Sequence, residues 1–279
     1  MLGALDAGLH VFVEKPMCIT LAHADAIVAA RDRAGKVVQV GTMKRYDPAV
    51  EAMLDALPGS AAELRYASVV VNDAEFEPFF QPGEIVRGDD VPAGLIEATR
   101  RQEADQVEQA VGSRDPDVVR AFSESFLGSL VHDLNVVHGA LERLGEPLPA
   151  QVVAGDWWND GRAVYGALRL HNGARVDLAW IQLLDTFEYR ETIQFMFAEE
   201  LHSLEFPSPW LKQYPTVYRR SRRDDRAVAA EVFTAYDESF SRELRHFHDC
   251  VVDGAVCRTP PEGARHDIDV LTQMFLAAR

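Results

Sequence analysis

The sequence predicts two layers of different class, an α/β piece followed by an α+β domain. Residues 9–41 hold two short apolar runs with a helix-spaced pattern between them, which indicates a strand, a helix and a second, parallel strand. After residue 150, short alternating runs are separated by turn residues, as in antiparallel strands. We therefore predict a βαβ piece followed by an open, mostly antiparallel sheet with helices on one face.

Local signals place the elements of the βαβ piece. The run at 9–14 ends at Lys15 because Pro16 holds the preceding residue in extended geometry. Thr20 is suited to cap the next helix, and Gly35 to end it. The second strand and a short helix are expected at 37–41 and 48–57.

The second domain is predicted from longer patterns. Residues 74–117 are rich in Glu, Asp, Gly and Pro, which indicates an inserted excursion or lid with a polar helix at 95–111. An apolar stripe predicts a helix at 124–144, and His171-Asn172-Gly173 is typical of a hairpin turn. The other strands are expected at 64–71, 151–156, 163–171, 175–183, 190–197 and 201–206, and the final helices at 236–253 and 261–278.

We accordingly expect domains at 1–50 and 51–279, with the final helices packing back on the first. No apolar stretch of about twenty residues occurs among the 279, so no membrane span is expected. A net charge of -16 disfavours nucleic-acid binding. Three sparse cysteines fit a reducing, cytoplasmic compartment.

For two other clusters of polar residues, a structural interpretation is favoured over a functional one. Residues 219–223 carry four arginines and are followed by Asp224 and Asp225, which indicates a mobile, self-neutralising loop; a ligand-phosphate site is the alternative. His246 and Cys250 lie one helical turn apart, but zinc needs further converging ligands, so no metal is predicted. The serines show no nucleophile-elbow pattern, which argues against a hydrolase.

Three polar motifs occur one after another along the chain, two after predicted strands and one on a predicted helix. Glu14-Lys15-Pro16 ends the first strand, and Arg45-Tyr46-Asp47-Pro48 follows the second, at the sheet edge where ligands bind. His132-Asp133-Leu134-Asn135 lies on the 124–144 helix. Taken alone, Lys15 is equally consistent with a lysine that faces solvent at a strand end.

Together these motifs resemble the Gfo/Idh/MocA family, which includes glucose–fructose oxidoreductase and inositol dehydrogenase, over nearly the whole chain. The resemblance implies a partial dinucleotide-binding (Rossmann) domain and an NAD or NADP cofactor. It also implies hydride transfer with a carbohydrate-like substrate, a sugar or cyclitol hydroxyl or ketone, and a homo-oligomer formed through the open sheet.

The resemblance assigns roles to particular residues. Lys15 and His132 match the catalytic pair, since an ammonium stabilises a developing alkoxide and an imidazole transfers protons near neutral pH. Cofactor contacts are implied for Glu14, Lys15, Pro16, Arg45 and Tyr46. Substrate contacts are implied for Lys15, His132, Asp133 and Asn135.

The sequence departs from the family pattern around His132. Many members carry an aspartate four residues before this histidine, where this chain has Gly128, and an acid three residues after it, where this chain has Asn135. His132 is therefore either a base without its usual partner or a buried helix histidine with no catalytic role.

A second departure concerns the cofactor phosphates. The sequence has no G-x-G-x-x-G turn, the element that holds a dinucleotide pyrophosphate. We expect that the first four Rossmann strands are not in this chain, through a mis-set gene start, a truncation or a fragment, which would leave the strand at 9–15 as an open edge. Two functions stay open: an NAD(P)-dependent dehydrogenase, with the activity of this chain alone in question, and a non-catalytic relative that binds a ligand or partner subunit.

Overall fold

The computed structural model describes residues 1–74, 88, 90–148, 150–183, 186–211 and 214–278. Most of the first half of the predicted excursion, 75–87 and 89, lies outside the described residues. The helices are α1 Leu2–Asp6, α2 Leu21–Ala34, α3 Pro48–Ala56, α4 Ala93–Val111, α5 Pro116–Val119, α6 Val131–Arg143, α7 Ser239–Val252 and α8 Pro261–Ala277. The strands are β1 Val11–Glu14, β2 Val38–Gly41, β3 Leu64–Asp73, β4 Gln151–Trp158, β5 Ala163–Arg169, β6 Arg175–Gln182, β7 Arg190–Phe197, β8 Glu200–Phe206, β9 Val217–Asp224 and β10 Ala227–Thr234.

The predicted βαβ piece is present. Strands β1 and β2 pair in parallel, with Glu14 opposite Gly41, so both strands end at one edge. The Thr20 hydroxyl accepts a hydrogen bond from the His23 amide at 3.2 Å and caps α2. Gly35 ends α2 with φ of 59°, a left-handed conformation that suits glycine.

The large sheet has the strand order β10-β9-β8-β7-β3-β6-β5-β4. Strands β3 and β6 are parallel, and the other neighbouring pairs are antiparallel. The predicted fold class, a parallel piece followed by an open and mostly antiparallel sheet with helices, is therefore confirmed.

Helix α8 packs directly on the large sheet because glycines leave room for its backbone. A Cβ atom on Gly155 of β4 would lie 1.8 Å from the carbonyl oxygen of Met274 in α8. The Phe275 ring meets Phe122 edge-on and stacks on Trp157, at centroid distances of 5.4 and 6.1 Å. The same helix reaches the βαβ piece, where Arg265 pairs with Asp25 of α2 at 2.5 Å. The domain boundaries at 50 and 51 stay a prediction.

Two sequence expectations need correction. The helix expected at 124–144 is a π-helical stretch at Arg120–Leu130 that continues as α6. The loop expected at 219–225 is wrong, because this segment lies in β9 and pairs with β10. Its arginines are nevertheless neutralised, since Arg220 pairs with Glu200 at 2.6 Å and Arg222 with Glu231 at 2.8 Å.

Candidate active site

The candidate site lies where β1 and β2 end. The Lys15–Pro16 peptide bond that follows β1 is cis. The partly buried Lys15 Nζ donates a hydrogen bond to the carbonyl oxygen of Gly128, which lies in the π-helical stretch. Lys15 therefore does not simply face solvent; its amine is held against the helix that carries His132.

The environment of Lys15 makes its ammonium group more acidic than that of a surface lysine. Burial lowers the pKa of Lys15 from its ordinary value of 10.5, and the positive charge of Lys44 lowers it further, against the opposing charges of Glu14 and Asp133. An ammonium of lowered pKa gives up a proton more readily than a surface lysine, which is a property of lysines in catalytic sites.

His132 lies one helical turn after Gly128 and is uncharged at neutral pH. Burial lowers its pKa well below 6.5, and the charges of Lys44 and Lys15 act in the same direction. Its Nδ1 atom is buried and has no hydrogen-bonding partner among the described residues. A neutral imidazole has one nitrogen that accepts a proton or a hydrogen bond.

Lys44, which no sequence motif singled out, lies buried at the base of this site. Its Nζ lies 2.9 Å from Asp133 Oδ1, contacts Glu191 Oε1 and stands 4.8 Å from the centre of the Phe206 ring. Burial alone would lower the pKa of Lys44, but the two carboxylates outweigh burial and raise it. Lys44 therefore stays charged and supplies a fixed positive charge beneath Lys15 and His132.

The carboxylates around Lys44 carry the compensating charge. Burial and the neighbouring Glu191 raise the pKa of Asp133 above its usual range, against the charge of Lys44. The hydroxyl group of Tyr189 donates to Glu191 Oε2. Two carboxylates around one ammonium leave an excess negative charge, which raises the affinity of Asp133 for a proton.

Asp133 and Asn135 do not face the Lys15 amine. Asp133 is 1% exposed and directed at Lys44, while the Asn135 amide donates to Asp267 Oδ2 at 2.6 Å. Positions two apart on a helix point about 200° apart, so the two side chains enter different environments. Their predicted substrate contacts have no support from the geometry of the described residues.

Arg45 and Tyr46 are also placed away from Lys15. The Arg45 guanidinium lies against Gly139 of α6, eleven residues and roughly 15 Å along the helix from Gly128. Tyr46 is 1% exposed, and its hydroxyl group is 2.8 Å from Thr259 Oγ1. Because both side chains are enclosed by protein, the described residues offer no geometric support for cofactor contacts from either.

Glu14 and Pro16 stay at the open end of the strands. Glu14 is exposed, and its carboxylate lies over Gly41, where a Cβ atom would be 3.2 Å from it. Pro16 is half-buried beside Lys15. The structure thus brings Glu14, Lys15, Pro16 and His132 to one place, and the role of each stays a prediction.

The signal for Lys44 was present in the sequence but ambiguous. Lys44 follows the end of β2 by three residues, and a lysine close to the carboxyl end of a buried parallel strand lies at the ligand-binding edge, which is the argument that selected Lys15. No local sequence pattern pointed to Glu191, because a charged residue at the start of a strand is usually exposed. Its position next to Lys44 depends on the pairing of β7 with β3.

Neither a metal site nor a membrane span is indicated among the described residues. Possible ligand atoms of His248, Asp249 and Asp253 lie within 4.8 Å of one another, but all three side chains are exposed. No helix in the described part of the chain is both long and apolar enough to cross a membrane.

Sequence comparisons agree with the position of this site. Residues 1–42 match the family model GFO_IDH_MocA, described as an oxidoreductase family with an NAD-binding Rossmann fold. The inositol 2-dehydrogenase of Paracoccus denitrificans (strain Pd 1222) is 42% identical over 79 residues. That alignment spans 28% of this chain and 22% of the enzyme.

Solved structures share the fold of the whole chain. UDP-N-acetylglucosamine 3-dehydrogenase GnnA from Acidithiobacillus ferrooxidans superposes with a TM-score of 0.67 at 17% identity, covering 99% of this chain and 73% of that one. The inositol dehydrogenase homologue from Azotobacter vinelandii, solved with NADH and myo-inositol, gives 0.67 at 12%, covering 99% and 71%. KijD10, a 3-ketoreductase from Actinomadura kijaniata solved with NADP, gives 0.65 at 17%, covering 100% and 72%.

The family that residues 1–42 resemble is NAD-binding, and the choice between NAD and NADP stays open for this chain. The resemblance of this chain to the Gfo/Idh/MocA oxidoreductases is confirmed, by sequence over residues 1–42 and by fold over the rest of the described chain.

Proposed function

We propose that this chain acts in NAD(P)-dependent hydride transfer to or from a sugar or cyclitol carbon. One observation carries the proposal: at the ends of β1 and β2, a partly buried amine with a lowered pKa lies beside an uncharged imidazole. Both groups are suited to act on the hydroxyl proton of a substrate that is oxidised to a ketone.

The residues present fit the nicotinamide end of such a cofactor. Glu14 and Gly41 stand side by side at the carboxyl ends of parallel strands, and Gly41 leaves room for the Glu14 carboxylate. The sequence contains no G-x-G-x-x-G turn, so these residues supply no pyrophosphate cradle of that kind. A bound nicotinamide would accept or supply the hydride.

Each protein group has a distinct task in this proposal. The Lys15 ammonium donates a hydrogen bond to the substrate oxygen and stabilises alkoxide character as the hydroxyl proton leaves. His132 accepts that proton, and it is available to do so because burial, helped by the charges of Lys44 and Lys15, keeps the imidazole uncharged. Lys44, held by Asp133 and Glu191, keeps its charge throughout.

Replacing Lys15 tests this assignment. We expect Lys15→Met to lower kcat by about 100-fold or more, because removing one donor to a developing oxyanion typically has an effect of that size. The assay follows NAD(P)H absorbance with myo-inositol, UDP-N-acetylglucosamine and a panel of free sugars. Lys36→Met is the matched control, since Lys36 lies between α2 and β2, away from the strand ends, and should leave turnover within about twofold.

Cofactor binding is tested separately, by NADH and NADPH fluorescence titration of the purified chain. Binding with unchanged turnover in Lys15→Met removes Lys15 from the mechanism. An absence of binding at millimolar cofactor refutes the oxidoreductase proposal for this chain.

The pH profile follows from the two pKa directions. Activity should rise as His132 loses its proton, well below pH 6.5, and fall as Lys15 loses its proton, below pH 10.5. A pH–activity profile that rises at the ordinary histidine pKa of 6.5 and falls at the ordinary lysine pKa of 10.5 would contradict the roles given to these groups.

The non-catalytic alternative rests on one specific observation. Where many family members carry an aspartate, Gly128 offers only a backbone carbonyl, and Lys15 already bonds to it. Under this alternative the chain would bind a carbohydrate-like ligand without turning it over. Saturable sugar binding by calorimetry, with no NAD(P)H change under any condition, would favour it.

Assembly through the open sheet face is the remaining part of the proposal. The face opposite the helices carries Val70 and Met196, which are 39% and 43% exposed. Apolar residues on an uncovered sheet face favour contact with another such face. The homo-oligomer and the cytoplasmic location stay predictions.

A further inference from the structure

A polar cavity lies beside α6, about three helical turns after Gly128, the residue to which Lys15 bonds. It is bounded by the end of β2, by α6 and by the N-terminus of α8, and its volume is about 140 Å³. A water molecule occupies about 30 Å³ of liquid, so the cavity has the room of roughly four or five waters. None of the residues proposed to act in hydride transfer lines it.

Unsatisfied polar atoms surround this cavity. Six buried side-chain atoms in its lining have no hydrogen-bonding partner among the residues that the structure describes. Such atoms are rare in native proteins, so six around one space indicate a polar occupant. They are Thr42 Oγ1, Arg45 Nε, Asn135 Oδ1, His138 Nε2, Glu262 Oε2 and His266 Nδ1.

Hydrogen bonds to Asp267 orient two of these side chains, Asn135 and His138. The Oδ1 atom of Asp267 lies 2.5 Å from His138 Nδ1, and its Oδ2 atom accepts from Asn135 Nδ2 at 2.6 Å. Asp267 is fully buried, so neither side chain can turn without breaking its bond to a buried carboxylate. Asn135 therefore presents an acceptor to the cavity, and His138 presents Nε2.

Positive charge is also directed at this space. Arg45 is 8% exposed and bonds to the Asn135 carbonyl oxygen at 3.2 Å; its contact with Glu142 is 3.4 Å long, and Glu142 is half-exposed. Its Nε–H group is unused. Helix α8 begins beside it with no side-chain cap, and helix N-termini attract anions.

We propose that this cavity binds hydrogenphosphate, an oxyanion that keeps a proton at neutral pH. Its oxygens accept from Arg45 Nε–H and from the Thr42 hydroxyl group. Its P–OH group donates to Asn135 Oδ1. Sulfate has the same shape but no proton at this pH, so one of its oxygens would face the lone pairs of Asn135 Oδ1.

The discrimination between these two anions is the direct test. Melting temperatures of the full chain are compared at pH 7 in 10 mM phosphate, sulfate and chloride, adjusted to equal ionic strength. We expect phosphate to raise Tm by several degrees over chloride and sulfate to leave it unchanged, because a ligand that binds only the folded state stabilises it. Equal effects of phosphate and sulfate, or no effect of either, would overturn the proposal; the second result means that water fills the cavity.

Variants localise the effect. Thr42→Val removes a cavity hydroxyl group with little change in shape and should weaken phosphate binding by about tenfold. Thr272→Val is the matched control, because the Thr272 hydroxyl group bonds to Ile268 within α8; it should keep the full response. Undiminished phosphate stabilisation of Thr42→Val places the anion elsewhere and refutes this site.

A phosphate ester is the other source of the same chemistry. Because the cavity is small and bounded on three sides by protein, we expect glycerol 3-phosphate to stabilise the chain no more than chloride does. Stabilisation by the ester at the level of inorganic phosphate would overturn the assignment to the free ion. Wild-type phosphorus NMR titration gives the affinity independently if the variants fold poorly.

Discussion

Removing the buried ammonium of Lys44 should destabilise this protein strongly. Lys44, Asp133 and Glu191 have side chains that are 11%, 2% and 4% exposed, so Lys44→Met leaves two carboxylates out of water without a counter-ion. Breaking a buried ion pair by removing one partner costs about 3–5 kcal/mol. At about 2–4 °C per kcal/mol for a chain of this size, the melting temperature should fall by roughly 6–20 °C.

The loss should depend on pH in a defined direction. Without Lys44, which lowers it, the folded-state pKa of Asp133 rises further above its unfolded value, so the folded state binds more protons than the unfolded chain. Stability therefore falls as pH rises from about 4 towards that raised value, and Lys44→Met should be least damaging near pH 5. Thermal unfolding followed by circular dichroism at pH 5, 7 and 8 measures this dependence.

Two further variants decide whether charge is the cause. Lys36→Met removes a lysine outside the cluster and should change stability by no more than about 0.5 kcal/mol. Combining Lys44→Met with Asp133→Asn and Glu191→Gln removes all three charges and should recover most of the loss. A triple variant as unstable as Lys44→Met, or a Lys44→Met protein that melts with the wild type, would refute the electrostatic account.

Three other perturbations are expected to give clear results. Gly139→Ala should cost about 1–3 kcal/mol in thermal unfolding, since its Cβ would lie 2.4 Å from Arg45 Cζ; the helical control Gly263→Ala, with nothing within 4 Å, should be neutral or stabilising, and equal effects would contradict the proposed contact. Burial and the nearby Glu14 raise the pKa of Glu243 to about 8, so the folded state holds an extra proton between about pH 4.5 and 8 and loses stability as pH rises. Glu243→Gln should flatten this part of the pH–stability curve, and an unchanged slope would count against it. The double variant Val70→Glu, Met196→Glu should lower the mass measured by light scattering towards that of the monomer without lowering Tm. An unchanged mass would mean that the open sheet face is not the interface.

Much of the fold was predictable because its signals are local. The helix cap at Thr20, the left-handed Gly35 and the alternating strands of the large sheet each follow from backbone chemistry within a few residues. The β9–β10 hairpin was missed because its arginines suggest a loop, although paired strands with exposed faces accept charged residues on both sides.

The candidate site was predictable only in part. Lys15 and His132 were selected from motif order, and the structure brings them together. Arg45, Tyr46, Asp133 and Asn135 were assigned from the family resemblance, and their side chains point away from the Lys15 amine.

The sequence by itself determined most of the strands and helices, the family resemblance and the presence of Lys15 at a strand end. Only the tertiary structure decided that Lys44 lies buried between Asp133 and Glu191, and that six unpaired polar atoms converge on one cavity. The physical reason is distance along the chain. Contacts between β2, α6, β7 and α8 join residues that are in some cases more than two hundred positions apart, and no local pattern records which side chains such packing will bring together.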